Sequence, residues 1–151
     1  MATQYNGGQV SGTILTAATM NSIGAAWETW TPAVTQSGAV TATVTLGRYM
    51  RIQKLVIAVA KLAITGTGTT NNAVKVSLPI TARDSGQLVG SGWIYDSSAT
   101  KTYFVMSEAD TTTTIRFYID GAASTAFLGI DPNIAITNGD QMMLTWMYEA
   151  A

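Results

Sequence analysis

The segment Val40-Thr41-Ala42-Thr43-Val44-Thr45-Leu46 alternates apolar residues with threonine. This alternation places the apolar side chains on one face of a β-strand and the threonines on the other, so it predicts a strand with one buried and one solvent-exposed face. The period of two recurs over residues 74–80. Pro79 cannot donate a hydrogen bond to a ladder, so the end of that second strand should be a sheet edge or a bulge.

Further strands are predicted where residues that favour β-structure lie between turn signals. Residues 49–64 are long enough for one bent strand or two short ones. The other candidates are residues 88–95, 102–106, 112–119 and 141–148, with short pieces near 125–128 and 133–136. Gly, Asn, Asp and Ser, which suit turns, recur between them. About eight short strands separated by such turns predict an all-β domain, an antiparallel β-sandwich or jelly roll, over residues 32–151.

Residues 1–31 follow a different pattern. Residues 1–12 are rich in Gly and Gln and have no periodicity, which predicts an extended N-terminal arm. Thr16 is a candidate N-cap for one short α-helix that extends to Trp27, and Trp30-Thr31-Pro32 ends it. This helix is too short to be stable alone, so its apolar face should dock on another surface. The predicted anchoring residues are Ile14, Leu15, Met20, Ile23, Trp27 and Trp30.

The composition of the 151-residue chain removes the commonest catalytic groups, because the chain contains neither Cys nor His. It therefore has no thiolate nucleophile, no imidazole base and no zinc site of the Cys/His kind. Most of the nine carboxylates lie beside residues that favour turns. We expect no enzymatic activity, no catalytic residues and no cofactor.

Charge excludes two further classes of partner. Eight basic and nine acidic residues are scattered singly, so no basic stripe is available to bind nucleic acid. The longest strongly apolar run, residues 55–60, is too short to span a membrane. The first residues include no Lys or Arg, so we expect synthesis in a cytosol without a secretory signal. A charged fraction of only 11% favours association, so copies of the chain should cover part of its surface.

Two polar regions are candidate binding sites. The glycine-rich residues 65–72 could cradle a phosphate only if a helix followed, but an alternating segment follows, so a hairpin connection is predicted. Glu108 and Asp110 could both offer oxygens to a cation, although no loop has the dense acidic spacing of a known calcium motif. No metal site is predicted, and a loop-bound cation stays an open alternative.

Aromatic residues give the strongest binding signal. Trp93 and Tyr95 share one face of a predicted strand, and Trp146 and Tyr148 share a face of another. Such pairs can pack in the core, or they can form an exposed surface that stacks on sugar rings or on a partner protein.

Several motifs together resemble a known family. They are Leu15-Thr16-Ala17-Ala18 with Asn21, Trp30-Thr31-Pro32, Gly47-Arg48-Tyr49-Met50-Arg51-Ile52, Thr65-Gly66-Thr67-Gly68-Thr69, Val76-Ser77-Leu78-Pro79, Gly90-Ser91-Gly92-Trp93-Ile94-Tyr95-Asp96 and Tyr148-Glu149-Ala150. This succession, which covers most of the chain, resembles small structural proteins of tailed bacteriophages that infect actinobacteria. In that pattern the Arg-Tyr-x-x-Ile stretch continues with Gly-Lys. Gln53 stands here in place of the glycine, which argues against a tight turn at this position.

The resemblance implies a virion component, a minor tail or tail-fibre protein, with a β-rich domain that forms a homotrimer. Residues 1–31 would attach it to other virion proteins, and the β domain would contact the host envelope at the tail tip or fibre. Trp93 and Tyr95 are then the candidate contacts to a receptor, such as a cell-surface glycan, or to a partner protein. One alternative is a head-decoration or capsid-stabilising subunit. A second is a carbohydrate-binding module or carbohydrate-active enzyme.

Overall fold

The computed structural model describes residues 26–119 and 127–151, and this part of the chain folds into ten β-strands. They are β1 (Glu28–Thr29), β2 (Val34–Gln36), β3 (Gly38–Val40), β4 (Ala42–Ile52), β5 (Leu55–Ile64), β6 (Lys75–Ser77), β7 (Leu88–Asp96), β8 (Lys101–Ala109), β9 (Thr114–Ile119) and β10 (Gln141–Glu149). The fold is therefore all-β. The predicted arm and most of the predicted helix lie outside the described residues, and the last two residues of that helix, Ala26 and Trp27, are irregular.

The strands form one curled sheet in which every pair is antiparallel, in the order β1-β4-β5-β10-β7-β8-β9-β6-β2-β3. Only Thr41 separates β3, at one end of this order, from β4, near the other end. The carbonyl oxygen of Thr41 accepts hydrogen bonds from the backbone N–H groups of Thr65 and Gly66, both at 2.9 Å. The chain thus connects the two ends of the sheet directly, which requires the sheet to curl.

The alternation at residues 40–46 is confirmed as β-structure with two different faces, but it spans two strands, because Thr41 separates the end of β3 from the start of β4. Val40 is buried, whereas Thr41, Thr43 and Thr45 are exposed. The region 49–64 contains the end of β4 and all of β5, which are joined by a tight turn at Gln53 and Lys54. Gln53 has φ of 54°. The expectation that a tight turn needs glycine here was therefore wrong, because Gln53 itself adopts the left-handed conformation.

Three other predictions about local structure were wrong. Residues 65–72 do not close a hairpin, because β5 pairs with β4 and β10 whereas β6 pairs with β9 and β2. The strand predicted over residues 74–80 is reduced to β6. Residues 133–136 and the described part of 125–128 form no strand. Their backbone groups instead bond to separate segments, as in the 2.8 Å bond from Gly68 N–H to the carbonyl oxygen of Ile136.

The core lies on the inner face of the curl. Alternate residues of β5 and β10 point into it, among them Leu62, Leu144 and the fully buried Trp146. The ring of Trp30 meets that of Trp146 edge to face, with 5.9 Å between centroids. A Cβ on Gly47 would lie 2.2 Å from the carbonyl oxygen of Trp30, so glycine is required where this segment crosses β4. Among the described residues, the first strand of the sheet begins at Glu28.

One buried amide holds two loops against the core. Gln36 is 1% exposed, and its Nε2 donates to the carbonyl oxygens of Asn72 at 3.0 Å and Ile134 at 2.7 Å. Its Oε1 accepts a bond from Ile136 N–H at 3.0 Å. A single side chain therefore satisfies three backbone groups of irregular segments that have no ladder partner at these atoms.

Candidate binding surface on the outer face of the sheet

The outer face of the longest strands is poor in charge. In a sheet with one face in solvent, outward positions are ordinarily polar. Here β10 alternates buried residues with an outward set that includes Met143 and Met147, and β8 turns Phe104 and Met106 outward. Met147 is 61% exposed and Phe104 is 75% exposed. Large apolar side chains on a solvent-facing sheet indicate an interaction surface.

Three aromatic side chains form a shallow depression at one corner of this face. Trp93 lies opposite Phe104 on the neighbouring strand, and Tyr95 lies opposite Thr102 and, on its other side, Gln141. These five residues, which we call the aromatic platform, line a space of about 450 Å³. Among the described residues no charged side chain lines it.

The structure separates the two aromatic pairs that the sequence offered. Trp146 and Tyr148 are buried in the core, whereas Trp93 and Tyr95 are half-buried on the outer face. Sequence reasoning missed Phe104, the most exposed large apolar residue among those described. The run Tyr103-Phe104-Val105-Met106 is apolar on both faces, so its pattern does not tell which residues point outward.

A second apolar cluster lies at the opposite corner of the same face. Ile57 pairs with Met50 on one side and Met147 on the other, and Leu55 pairs with Ile52 one row further along. These five residues, which we call the apolar strip, cross β4, β5 and β10. Leu55 and Ile52 are each 41% exposed. Glu149, the register partner of Leu55 on β10, is paired with Arg83 at 3.1 Å.

The predicted anchoring residues fall into two groups. Ile14, Leu15, Met20 and Ile23 lie outside the described residues. Trp27 is 46% exposed, and continuing the β1–β4 register by one residue places it opposite Met50 at the edge of the apolar strip. Trp30 packs against the core through Trp146. Of these two tryptophans, Trp27 has the larger surface left for another protein.

Short strand β1 is fastened to the sheet by a side-chain bond. The Tyr49 hydroxyl donates to Glu28 Oε2 at 2.6 Å. This bond, together with burial and the negative charge of Glu28, raises the pKa of Tyr49 above its ordinary value. The segment that carries Trp27 and Trp30 therefore has a fixed path onto the sheet.

A polar groove of about 620 Å³ lies near the far end of the sheet and contains a chain of ion pairs. Asp110 contacts Lys75 at 2.7 Å and Arg116 at 2.8 Å, and Arg116 also contacts Glu108 at 2.7 Å. Glu108 and Asp110, considered as cation ligands from the sequence, are thus each bonded to a basic side chain. The cluster has equal numbers of acids and bases, and only the β6–β9–β8 register brings it together.

The described residues contain no grouped metal ligands and no membrane-spanning helix. Within residues 26–119 and 127–151, no three or more Asp, Glu, Cys or His side chains are grouped so that they could hold a metal ion. The described residues contain no helix that is long and apolar enough to cross a membrane. Comparison of the chain with protein-family models, with curated proteins and with solved structures finds no match.

Proposed function

We propose that this chain is a structural subunit of a bacteriophage virion and that it assembles as a homotrimer through the apolar strip. The observation that carries the proposal is the exposure of this strip on a sheet face with few charges. The sequence resemblance to small phage structural proteins supplies the biological setting. Residues 1–31 attach the subunit to other virion proteins, and the β domain faces outward at the tail tip or fibre, where it contacts the host envelope.

The apolar strip supplies the centre of a contact between copies. With strands about 4.8 Å apart and outward residues about 6.8 Å apart, each outward position covers about 33 Å² of sheet. The five positions of the strip therefore cover about 170 Å², so the rest of the roughly 800 Å² that each partner buries in a standard interface must come from neighbouring surface. The exposed Trp27 at the edge of the strip is one part of that surface. A second copy of this chain is the partner that the low charge fits.

The closed form of the domain belongs to the same proposal. The direct passage from β3 to β4 at Thr41 brings the two ends of the sheet order together. This supports a β-sandwich of jelly-roll type, in which the short strands β2, β3 and β6 cover the core from the side opposite the long ones.

Deletion of residues 1–25, with the sheet left intact from Ala26, tests the attachment. The full-length and shortened proteins would be expressed with an epitope during infection, and purified particles would be examined by immunogold electron microscopy. We expect gold at the tail tip with the full chain and none with the shortened chain. Equal labelling of particles by both proteins would contradict the attachment role.

The position and number of gold particles distinguish the two virion locations. A few to tens of copies at the tail support the tail assignment. Labelling of the head at hundreds of copies per particle would instead assign the chain to capsid decoration. A chain absent from purified particles would contradict the proposal as a whole.

A further inference from the structure

We propose that the aromatic platform is a binding site for a neutral carbohydrate, which docks the apolar face of a pyranose ring on Trp93 and Phe104. The inference deepens the proposed contact with the host envelope, on which it rests, by assigning a site and a chemical class of ligand. It uses a different corner of the sheet from the one proposed to join copies.

The side chains of the platform match the chemistry of a sugar ring. The faces of aromatic rings carry partial negative charge, and they attract the positively polarised C–H groups on one side of a pyranose. Trp93 and Phe104 are direct cross-strand partners, so they offer two neighbouring rings. Gln141 and Thr102, both exposed, lie on either side of Tyr95 and can exchange hydrogen bonds with hydroxyl groups at the rim.

The lack of charge selects a neutral ligand. Every residue that lines the depression is aromatic or uncharged polar, so the site offers no ion pair to a phosphate, a sulfate or an acidic sugar. A few precisely placed polar groups beside an apolar surface are typical of small-molecule sites.

The platform lies apart from the surface that is proposed to join copies. Its five outward positions cover about 170 Å² of sheet, an area that suits a small ligand. Met147 in the apolar strip lies four residues along β10 from Met143, the register partner of Trp93, which is a separation of about 14 Å. Copies joined through the strip would therefore leave the platform open.

Isothermal titration of the full-length protein tests the site. The probes are cellohexaose, laminarihexaose and mannohexaose, three neutral hexasaccharides of pyranose rings. We expect saturable binding of at least one. Phe104→Ala should weaken that binding at least five-fold and Trp93→Ala at least ten-fold. Leu88→Ala, at an exposed apolar residue of the same sheet outside both clusters, should change it less than two-fold.

The outcomes separate this proposal from the proposed function. Absence of saturable binding to all three probes, or wild-type binding by Phe104→Ala, overturns the carbohydrate site. Because Phe104 is 75% exposed, its truncation leaves the fold intact even if Trp93→Ala does not fold. Loss of oligomer mass in Phe104→Ala would assign the platform to contact between copies and also overturns the site. A particle-bound trimer that binds no sugar contradicts this inference alone, and a monomer that binds sugar contradicts the trimer alone.

Discussion

The two faces of β10 carry similar residues and have opposite surroundings. Met142, Leu144 and Trp146 point inward and are fully buried, whereas Met143 and Met147 point outward on the same strand. The inner set has its contacts within this chain. The outer set is apolar as well, but nothing in the described chain covers Met147. The difference shows that burial in this fold follows the curl of the sheet and not the residue type, and that the outer face is equipped for a partner.

The largest expected effect is the difference in stability between alanine variants at two adjacent residues of β10, one on each face. Trp146→Ala opens a large cavity in the core and should lower the free energy of unfolding by about 3–5 kcal/mol. Met147→Ala removes no core contact and should change it by less than about 0.5 kcal/mol. Urea unfolding of both variants at equal dilute concentration measures the contrast.

A matched variant refines this first comparison. Trp146 Nε1 is buried and finds no acceptor among the described residues. Trp146→Phe therefore loses volume but no hydrogen bond, and it should be less destabilised than Trp146→Ala. Equal losses from Trp146→Ala and Met147→Ala would break the distinction between the two faces.

The buried amide on the inner face should have the next largest effect. Gln36→Leu keeps most of the side-chain volume but leaves the N–H of Ile136 and the carbonyl oxygens of Asn72 and Ile134 without this partner. Unpaired buried polar groups should lower the free energy of unfolding by about 2–3 kcal/mol. Thr35→Val, on the other face of β2, should change it by less than about 0.5 kcal/mol. A loss in Gln36→Leu no larger than in Thr35→Val would show that the loops do not depend on this amide.

A smaller effect should appear at alkaline pH. Burial raises the pKa of Tyr148, on the inner face of β10, from 10.0 to about 12, although a hydrogen bond that the Ile80 N–H donates to the Tyr148 oxygen, at 3.3 Å, opposes the rise. The folded state holds the Tyr148 proton more tightly than the unfolded state does. The resulting stabilisation of the folded state is complete below pH 10 and is lost between pH 10 and 12. At pH 11 the loss should be about 1.4 kcal/mol.

Urea unfolding at pH 9 and pH 11 measures this dependence. Tyr148→Phe has no ionisable group at this position. Its free energy of unfolding should therefore fall between the two pH values by about 1.4 kcal/mol less than that of the wild type. Tyr49, whose pKa is also raised, contributes in the same direction in both proteins and therefore cancels. An identical pH dependence in wild type and Tyr148→Phe would contradict a buried, proton-holding Tyr148.

The sequence predicts local periodicity well and long-range pairing poorly. The alternation at Val40–Leu46 predicted β-structure and its exposed threonines, because side-chain direction repeats every two residues, but it did not predict that two strands meet there. The same pattern does not show that Thr41 passes the chain from one end of the sheet to the other. It also led to a hairpin at residues 65–72, where the chain crosses to a distant part of the sheet. Strand order depends on contacts between segments far apart in sequence, and periodicity does not record these contacts.

The candidate sites also combine residues that sequence spacing predicts with neighbours that only the strand pairing brings together. Trp93 and Tyr95 were found from their spacing on one strand, but Phe104 and Gln141 joined them only through the pairing of β7 with β8 and β10. Glu108 and Asp110 looked like free oxygen ligands until the register brought Lys75 and Arg116 to them. A lone residue's chemistry can be inferred from sequence, whereas its neighbours are a property of the sheet.

The most direct test of the account is the mass of the full-length protein in solution, measured by light scattering on a sizing column. We predict three times the chain mass of 15.9 kDa for the wild type and for Leu88→Lys. Met147→Lys, which places a charge in the apolar strip at a similarly exposed position of the same sheet, should elute at the mass of one chain. A wild-type protein at 15.9 kDa, or a Met147→Lys variant that stays trimeric, would contradict assembly through the outer face.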